Sequence, residues 1–282
     1  MIVSIQLMGF RVVAISYFVT VTAIGLGARC GFSATASTEP LTAQQIVNKT
    51  VQHAQAIQNP NRQSDYSYSK FSVTEEFNAK GKLKEKKEKL LEFQSGFWRL
   101  NQLKLNGRAL SGAEFRKQEQ ASQEARQQAT DSKSGRHDDN WEKFLTAELV
   151  AKYSFTLLGQ ESINGRSAYV LGFEPASANL PVNHFIDRLI NRLGGKVWID
   201  EEDFEVARAQ VALRAEVSLW GGVLGNLKKC NFTVERSRVD DKVWFNTVTN
   251  GEFEGRKLLE PTRIRTRSES SNFRKTVRRA SG

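Results

Sequence analysis

The chain has 282 residues, enough for one large hydrophobic core or two modest ones. Apolar residues make up 39% of it and charged residues 26%, a balance that excludes an intrinsically disordered protein. The formal net charge of +10 is concentrated in a lysine-rich hairpin near residue 85 and in arginines near the C-terminus, so acidic partners must be considered.

The chain begins with the pattern of an export signal. An apolar run, 12–26, follows Arg11 and precedes the small residues 34–36, which predicts a secretory signal peptide over 1–36. The run is shorter than the about 20 apolar residues of a membrane span, and a retained anchor is the alternative. Translation starts at either Met1 or Met8.

The chain has two cysteines, Cys30 within the predicted signal peptide and Cys230 in the mature part. Cys30 is compatible with lipidation, but Arg29 stands where a small residue is expected, which disfavours it. After cleavage at Ala36 only Cys230 remains, so the fold needs no disulfide. Cys230 alternates with Phe232 and Val234, which predicts a buried small hydrophobe.

The mature chain opens with a helix and a meander. Apolar residues recur at three- and four-residue spacing over Thr42–Ile57, which predicts an amphipathic helix. Alternating patterns predict strands at Tyr66–Phe77, Leu83–Phe93 and Phe97–Leu105. Short turn sequences between them favour antiparallel pairing.

A polar helical insertion, 108–150, comes next. Ala113–Gln128 lacks an apolar stripe and predicts a solvated helix, and 129–139 predicts a mobile linker. Trp141–Val150 regains an amphipathic pattern and predicts a further helix.

The second half of the chain predicts seven strands and one short helix, Val182–Leu193. The strands are Tyr153–Leu158, Ala168–Phe173, Lys196–Ile199, Val206–Leu219, Leu227–Val239, Val243–Val248 and Arg256–Arg267. Turn pairs such as Gly194-Gly195 and Asn250-Gly251 are predicted to separate them.

Together these elements predict an α+β fold with one antiparallel β-sheet of about ten strands. Twist accumulates across a sheet of that size, so we expect a strongly curved, incomplete barrel with helices covering its concave side. A single half-barrel domain is predicted over 37–270, followed by a basic C-terminal tail at 271–282.

No pattern of catalysis stands out. His53, His137 and His184 lie in unrelated contexts, and no nucleophile elbow, phosphate loop or dinucleotide fingerprint occurs. We therefore expect neither an enzyme nor a cofactor or metal. The carboxylates at 200–203 predict a solvated hairpin turn, with a calcium site as the less favoured alternative.

Aromatic residues lie mostly within predicted strands. Core packing accounts for most of them, but several tryptophans have the opposite parity from a large apolar neighbour, which predicts that both faces of the sheet are partly covered. One face would then line a cavity. The predicted lining residues are Phe71, Phe93, Trp98, Phe155, Tyr169, Phe173, Trp198 and Phe232.

Arg263, Arg265 and Arg267 alternate along the last predicted strand and share one face. Protection of an edge strand by charge is one interpretation. Contact with an anionic membrane surface or an acidic envelope protein is another. The export signal and the lack of a recognisable module argue against nucleic acid.

Two local runs carry a family resemblance. They are 165–174, and Lys196–Asp200 followed by Phe204–Arg208, a strand, acidic turn and strand. With the leading helix and the opening meander, roughly 42–270 resembles the LolA/LolB/RseB-like superfamily of periplasmic proteins.

The resemblance implies a half-barrel closed by helices over an apolar cavity, in a periplasmic location. It implies a non-enzymatic carrier that binds lipid or the acyl chains of lipoproteins for transfer towards the outer membrane. The alternative is an RseB-like sensor or interaction module that binds a protein partner through the arginine surface.

Overall fold

A computed structural model describes residues 40–57, 63–94, 97–117, 119–120, 145–178, 180–182, 185–219, 225–240, 243–257 and 260–276. The chain divides into Met1–Leu41 and Thr42–Gly282, and the fold below is that of the second unit. The predicted signal peptide, the linker 129–139 and the end of the predicted tail, 277–282, lie outside the described residues.

Helices are few in the described part of the chain. Helix α1 spans Ala43–Ala56, α2 spans Ala147–Val150 and α3 spans Phe185–Ile190, and residues 112–117 are also helical. The backbone N–H of Thr42 donates to the side chain of Gln45, and the backbone N–H of Gln45 donates to the Thr42 hydroxyl. This reciprocal capping box defines the start of α1, and the predicted first helix is confirmed.

Within the described residues, twelve antiparallel strands form one open sheet. They are β1 Tyr66–Phe77, β2 Leu83–Gln94, β3 Phe97–Leu105, β4 Arg108–Ala109, β5 Tyr153–Ile163, β6 Arg166–Pro175, β7 Leu193–Asp200, β8 Val206–Leu213, β9 Val217–Leu219, β10 Gly225–Asp240, β11 Val243–Lys257 and β12 Glu260–Lys275. Their spatial order is β4-β3-β2-β1-β12-β11-β10-β8-β7-β6-β5, with β9 paired to β10.

The predicted antiparallel sheet, open and strongly curved, is confirmed, with two strands more than expected. Its first and last halves join through β1 and β12, so β12 is an interior strand. Among the helices, α1 packs against β5 and α2. Coverage of the concave side by helices stays a prediction.

Two predicted glycine turns are wrong. Gly251 lies inside β11, where an added Cβ would come within 2.9 Å of both the Phe253 and Thr266 side chains. Gly195 lies inside β7, where an added Cβ would lie 1.9 Å from the backbone oxygen of Gln210. Both glycines permit close approach within the sheet and do not reverse the chain.

The ends of several other elements also differ from the prediction. The predicted strand Val206–Leu219 is two strands, β8 and β9, because 214–216 leave the ladder. The helix predicted up to Leu193 ends at Ile190, and Leu193 begins β7. The strand β12 extends to Lys275, into the segment predicted as a tail.

The strand register gives the sheet two chemically different faces. One row of facing residues crosses ten strands: Leu103, Lys89, Ser72, Ser268, Thr249, Val234, Ala209, Val197, Leu171 and Leu157. We call the face that carries this row the apolar face. We call the opposite face the polar face because ion pairs such as Arg208–Glu235 and Arg263–Glu252 lie on it, although it also holds apolar side chains. One of its rows consists of Leu90, Phe71, Glu269, Val248, Glu235, Arg208, Trp198 and Val170.

Candidate ligand-binding face

The apolar face is most continuous over strands β5, β6, β7, β8 and β10. A second row next to the first consists of Phe155, Phe173, Gly195, Val211 and Phe232. Alternation along each strand brings these residues to one side, since side chains two residues apart point the same way. Five neighbouring strands therefore present aliphatic and aromatic side chains without an intervening charge.

Packing on the apolar face is incomplete. Leu171 is 0% exposed and Ile199 is 1% exposed, as in a tight core. Phe173, Val211 and Phe232 are only half-buried, although they lie on the same face. Half-buried apolar side chains in neighbouring positions retain apolar surface that a further apolar group can cover.

An aromatic cluster extends this surface towards β1 and β2. The Tyr68 ring stacks on Phe93 with centroids 4.4 Å apart. Tyr68 also lies 5.4 Å from Phe245 and from Phe273, and Tyr66 lies 5.3 Å from Phe245. Such ring pairs stabilise a fold by more than the burial of their apolar surface alone. Tyr68, Phe93 and Phe273 remain half-buried.

Of this cluster, the sequence pattern predicted only Phe93 as a lining residue. Tyr66 and Tyr68 have the same parity in β1, and this could have indicated that they lie on the same face. Phe245 and Phe273 come together only through the pairing of distant strands, which the sequence pattern does not specify.

The eight predicted lining residues do not share one surface. The register places Phe93, Phe155, Tyr169, Phe173 and Phe232 on the apolar face. Phe71 and Trp198 lie on the polar face. Trp98 pairs with Phe93 through the backbone, and its side chain lies outside the described set.

The two residues on the polar face have different surroundings. Phe71 is 41% exposed and lies opposite Glu269. Trp198 is buried, its indole N–H donates to Glu161 over 2.8 Å, and the Arg208 guanidinium lies 5.4 Å from the ring centroid. Trp198 thus belongs to a packed cluster with Val170 and Ala168.

The three predicted contact arginines do share the polar face, but carboxylates already engage them. Arg263 is paired with Glu252 and, at 3.2 Å, with Glu254. Arg265 Nε lies 3.3 Å from Glu252. The hydrogen bonds from Arg263, followed by those from Lys229, lower the pKa of Glu252 to about 2.

The interpretation of these arginines as charge protection for an edge strand is wrong, because β12 pairs with β1 on one side and β11 on the other. Arg263 and Arg265 of β12 instead form ion pairs with Glu252 of β11, which join these two neighbouring strands on the polar face. Arg267 is the most exposed of the three arginines, with a side chain that is 65% exposed.

The acidic turn at 200–203 is only partly solvated, which corrects the sequence interpretation. Asp200 is 1% exposed and accepts hydrogen bonds from Arg166 Nε at 2.6 Å and Nη2 at 2.7 Å. It also accepts the backbone N–H of Glu202 and Asp203. Among the described residues no group of His, Cys, Asp and Glu has the arrangement of a metal site.

Burial opposes ionisation of Asp200, but the Arg166 hydrogen bonds and the turn N–H groups outweigh it and lower the pKa of this carboxyl. The turn is therefore a structural anchor between β6 and β7.

A second buried ion pair ties helix α1 to the sheet. Arg236 is 1% exposed and donates to Glu205 over 2.7 Å, and His53 of α1 lies 3.4 Å from the same carboxylate.

Cys230 is buried on the apolar face, as predicted, and burial raises the pKa of its thiol.

None of the described helices combines the length and the apolar character that crossing a membrane requires. A scan against protein-family models finds no match, and a search of curated proteins finds none.

Comparison with solved structures does find matches. A LolA superfamily protein from Nitrosomonas europaea is 14% identical, with 86% of this chain and 96% of that chain covered and a TM-score of 0.29. A putative outer membrane lipoprotein-sorting protein domain from Vibrio parahaemolyticus is 16% identical, with 83% and 95% covered and a TM-score of 0.29.

A complex of Pseudomonas aeruginosa MucA and MucB also matches, at 12% identity, 81% and 99% coverage and a TM-score of 0.23. The matched structures include the superfamily that the sequence resembles.

Proposed function

We propose that this protein is an exported, non-enzymatic carrier that binds lipid, or the acyl chains of lipoproteins, against its apolar face in the periplasm. The observation that supports this most is the half-buried apolar surface formed by Phe173, Val211 and Phe232. A folded protein usually closes such a surface, and one that remains open favours an apolar ligand.

The energy available is adequate for reversible binding. Removing an acyl chain from water is worth about 0.8 kcal/mol per methylene, so covering ten methylenes offers roughly 8 kcal/mol before ordering costs. No covalent step is needed, because transfer depends only on differences in affinity between the carrier and its acceptor.

Phe232 and Thr233 provide a matched test, because they are neighbours in β10 and lie on opposite faces. In the Phe232→Glu variant a carboxylate would stand among apolar side chains, where an unpaired charge is strongly disfavoured. We expect this variant to lose binding of a fluorescent fatty acid, with at least about a tenfold rise in Kd.

The control is Thr233→Glu, which adds the same charge on the polar face and should leave the Kd within about twofold. Circular dichroism verifies that both variants fold. If Phe232→Glu unfolds, Phe232→Trp is used in its place, because the larger side chain would occupy part of the proposed binding surface and should also raise the Kd. Failure of the wild-type protein to take up the probe, with no lipid retained in native mass spectrometry, would contradict the proposal.

A further inference from the structure

Lys89 lies on the apolar face, as do Lys70 of β1 and Lys87 of β2. Lys89 faces Ser72 on one neighbouring strand and Leu103 on the other, and Leu103 is only 3% exposed. Two residues further along β2, Leu91 faces Leu100, which is 4% exposed. Continuous pairing from Glu85 to Phe93 keeps Lys89 and Phe93 on the same side of the sheet.

Lys89 differs from the lysines around it. Within the described residues, no carboxylate pairs with Lys89. Lys70, on the same face, has other interactions. The other hairpin lysines have glutamate partners: Lys84 with Glu76, Lys86 with Glu88, and Lys87 with Glu85. Burial, and then the nearby charge of Lys87, lower the pKa of Lys89, so an anionic partner would relieve an existing electrostatic cost.

The row that contains Lys89 changes character along its length. Hydroxyl groups follow the lysine, at Ser72, Ser268 and Thr249, and apolar side chains begin at Val234. Four strand spacings separate Lys89 from Val234, about 19 Å along the sheet. An acyl chain that spans half the hydrocarbon thickness, about 15 Å, ends before Val234, but Phe93 lies on the same face of β2 only four residues, about 13 Å, from Lys89 and stacks on Tyr68. One amphiphile can therefore pair with Lys89 and cover the aromatic cluster.

We infer that the carrier selects amphiphiles with an anionic head group, whose head group pairs with Lys89 while the acyl chain lies along the apolar face. The inference rests on the proposed function and narrows its ligand class. Ser72 and Ser268 would supply hydrogen bonds to the same head group. A carboxylate and a phosphate share this chemistry.

The test compares head groups on one fluorescent acyl chain: the free fatty acid, its methyl ester, and the matching monoacyl phosphate. We expect the wild-type protein to bind at least one anionic probe about tenfold more tightly than the ester, the effect of one charge-assisted contact. Lys89→Gln should abolish this preference, and Lys89→Arg should retain it.

Lys86→Gln is the matched control, because it removes the same charge from the same strand but on the polar face. It should leave the preference intact. Equal loss in Lys86→Gln and Lys89→Gln, or a wild-type protein that binds all three probes equally, overturns the head-group inference while the carrier proposal stands. Absence of binding to every probe contradicts the carrier proposal itself.

Discussion

Asp200 shows how much a single side chain contributes to this sheet. Its side chain is buried at the end of β7. It accepts hydrogen bonds from Arg166, at the start of β6, and from two backbone N–H groups of the turn that follows β7. Removal of one member of a buried pair leaves a charge without compensation, which costs more than the intact pair contributes.

We expect Arg166→Ala to lower the free energy of unfolding at pH 7 by about 2 to 3 kcal/mol, less than the about 3 to 5 kcal/mol of fully buried pairs because Arg166 is partly exposed. Urea denaturation measures this. Arg214→Ala is the control: its pair with Glu174 is exposed on both sides, and the cost should stay under about 1 kcal/mol.

The same pair predicts a pH dependence. The folded-state pKa of Asp200 lies below the unfolded value of about 3.9, so its stabilisation is present above about pH 4 and is lost as the pH falls through the folded-state pKa. The difference between wild type and Arg166→Ala should therefore shrink at pH 3. An equal difference at pH 3 and pH 7 would show that the pair contributes through packing alone.

The sequence could not predict this contact. The four carboxylates at 200–203 resemble a surface turn, and the partner Arg166 lies 34 residues away in the chain. The two meet because β6 and β7 pair with Ala168 opposite Asp200, and this register is a tertiary property.

At the scale of strands, close backbone approach controls which residues are allowed. An added Cβ at Gly195 would collide with the backbone oxygen of Gln210 in β8, and a backbone atom cannot move aside as a flexible side chain does. We expect Gly195→Ala to destabilise the protein by about 2 kcal/mol, in the range for overpacked sites. Thermal unfolding provides the measurement.

Gly112→Ala is the matched control, because an added Cβ there meets no atom within 4 Å. Its Tm should be unchanged or slightly higher. A Tm for Gly195→Ala equal to that of the control would mean that β7 and β8 do not approach as closely as described.

Alternation and turn signals predicted most strands, and the bounds of β1 and β3 match the prediction at both ends. Glycine misled the prediction where it permits close packing: β11 continues through Asn250-Gly251 to Lys257. A local pattern identifies a glycine that needs space or conformational freedom, but it does not distinguish a turn from a close approach.

At the scale of the whole sheet, the two faces differ most over β5, β6, β7, β8 and β10, where one row of the apolar face holds uncharged side chains and the opposite row includes Arg208 and Glu235. Charged residues form ladders on the polar face, as between Arg265 and Glu252. The apolar face combines a tight core near Leu171 with a partly open surface near Phe232. The sequence predicted which residues alternate, but strand order was needed to assign Phe71 and Trp198 to the polar face.

Photochemical cross-linking tests the binding face most directly. A fatty acid with a photoreactive group in its chain would be bound to the purified protein and irradiated, and modified residues would be located by peptide mass spectrometry. Adducts should concentrate on apolar-face residues such as Phe173, Val211 and Phe232. Adducts on their polar-face neighbours, such as Lys196 and Thr233, or labelling no greater than that of the unfolded chain, would contradict binding at this face.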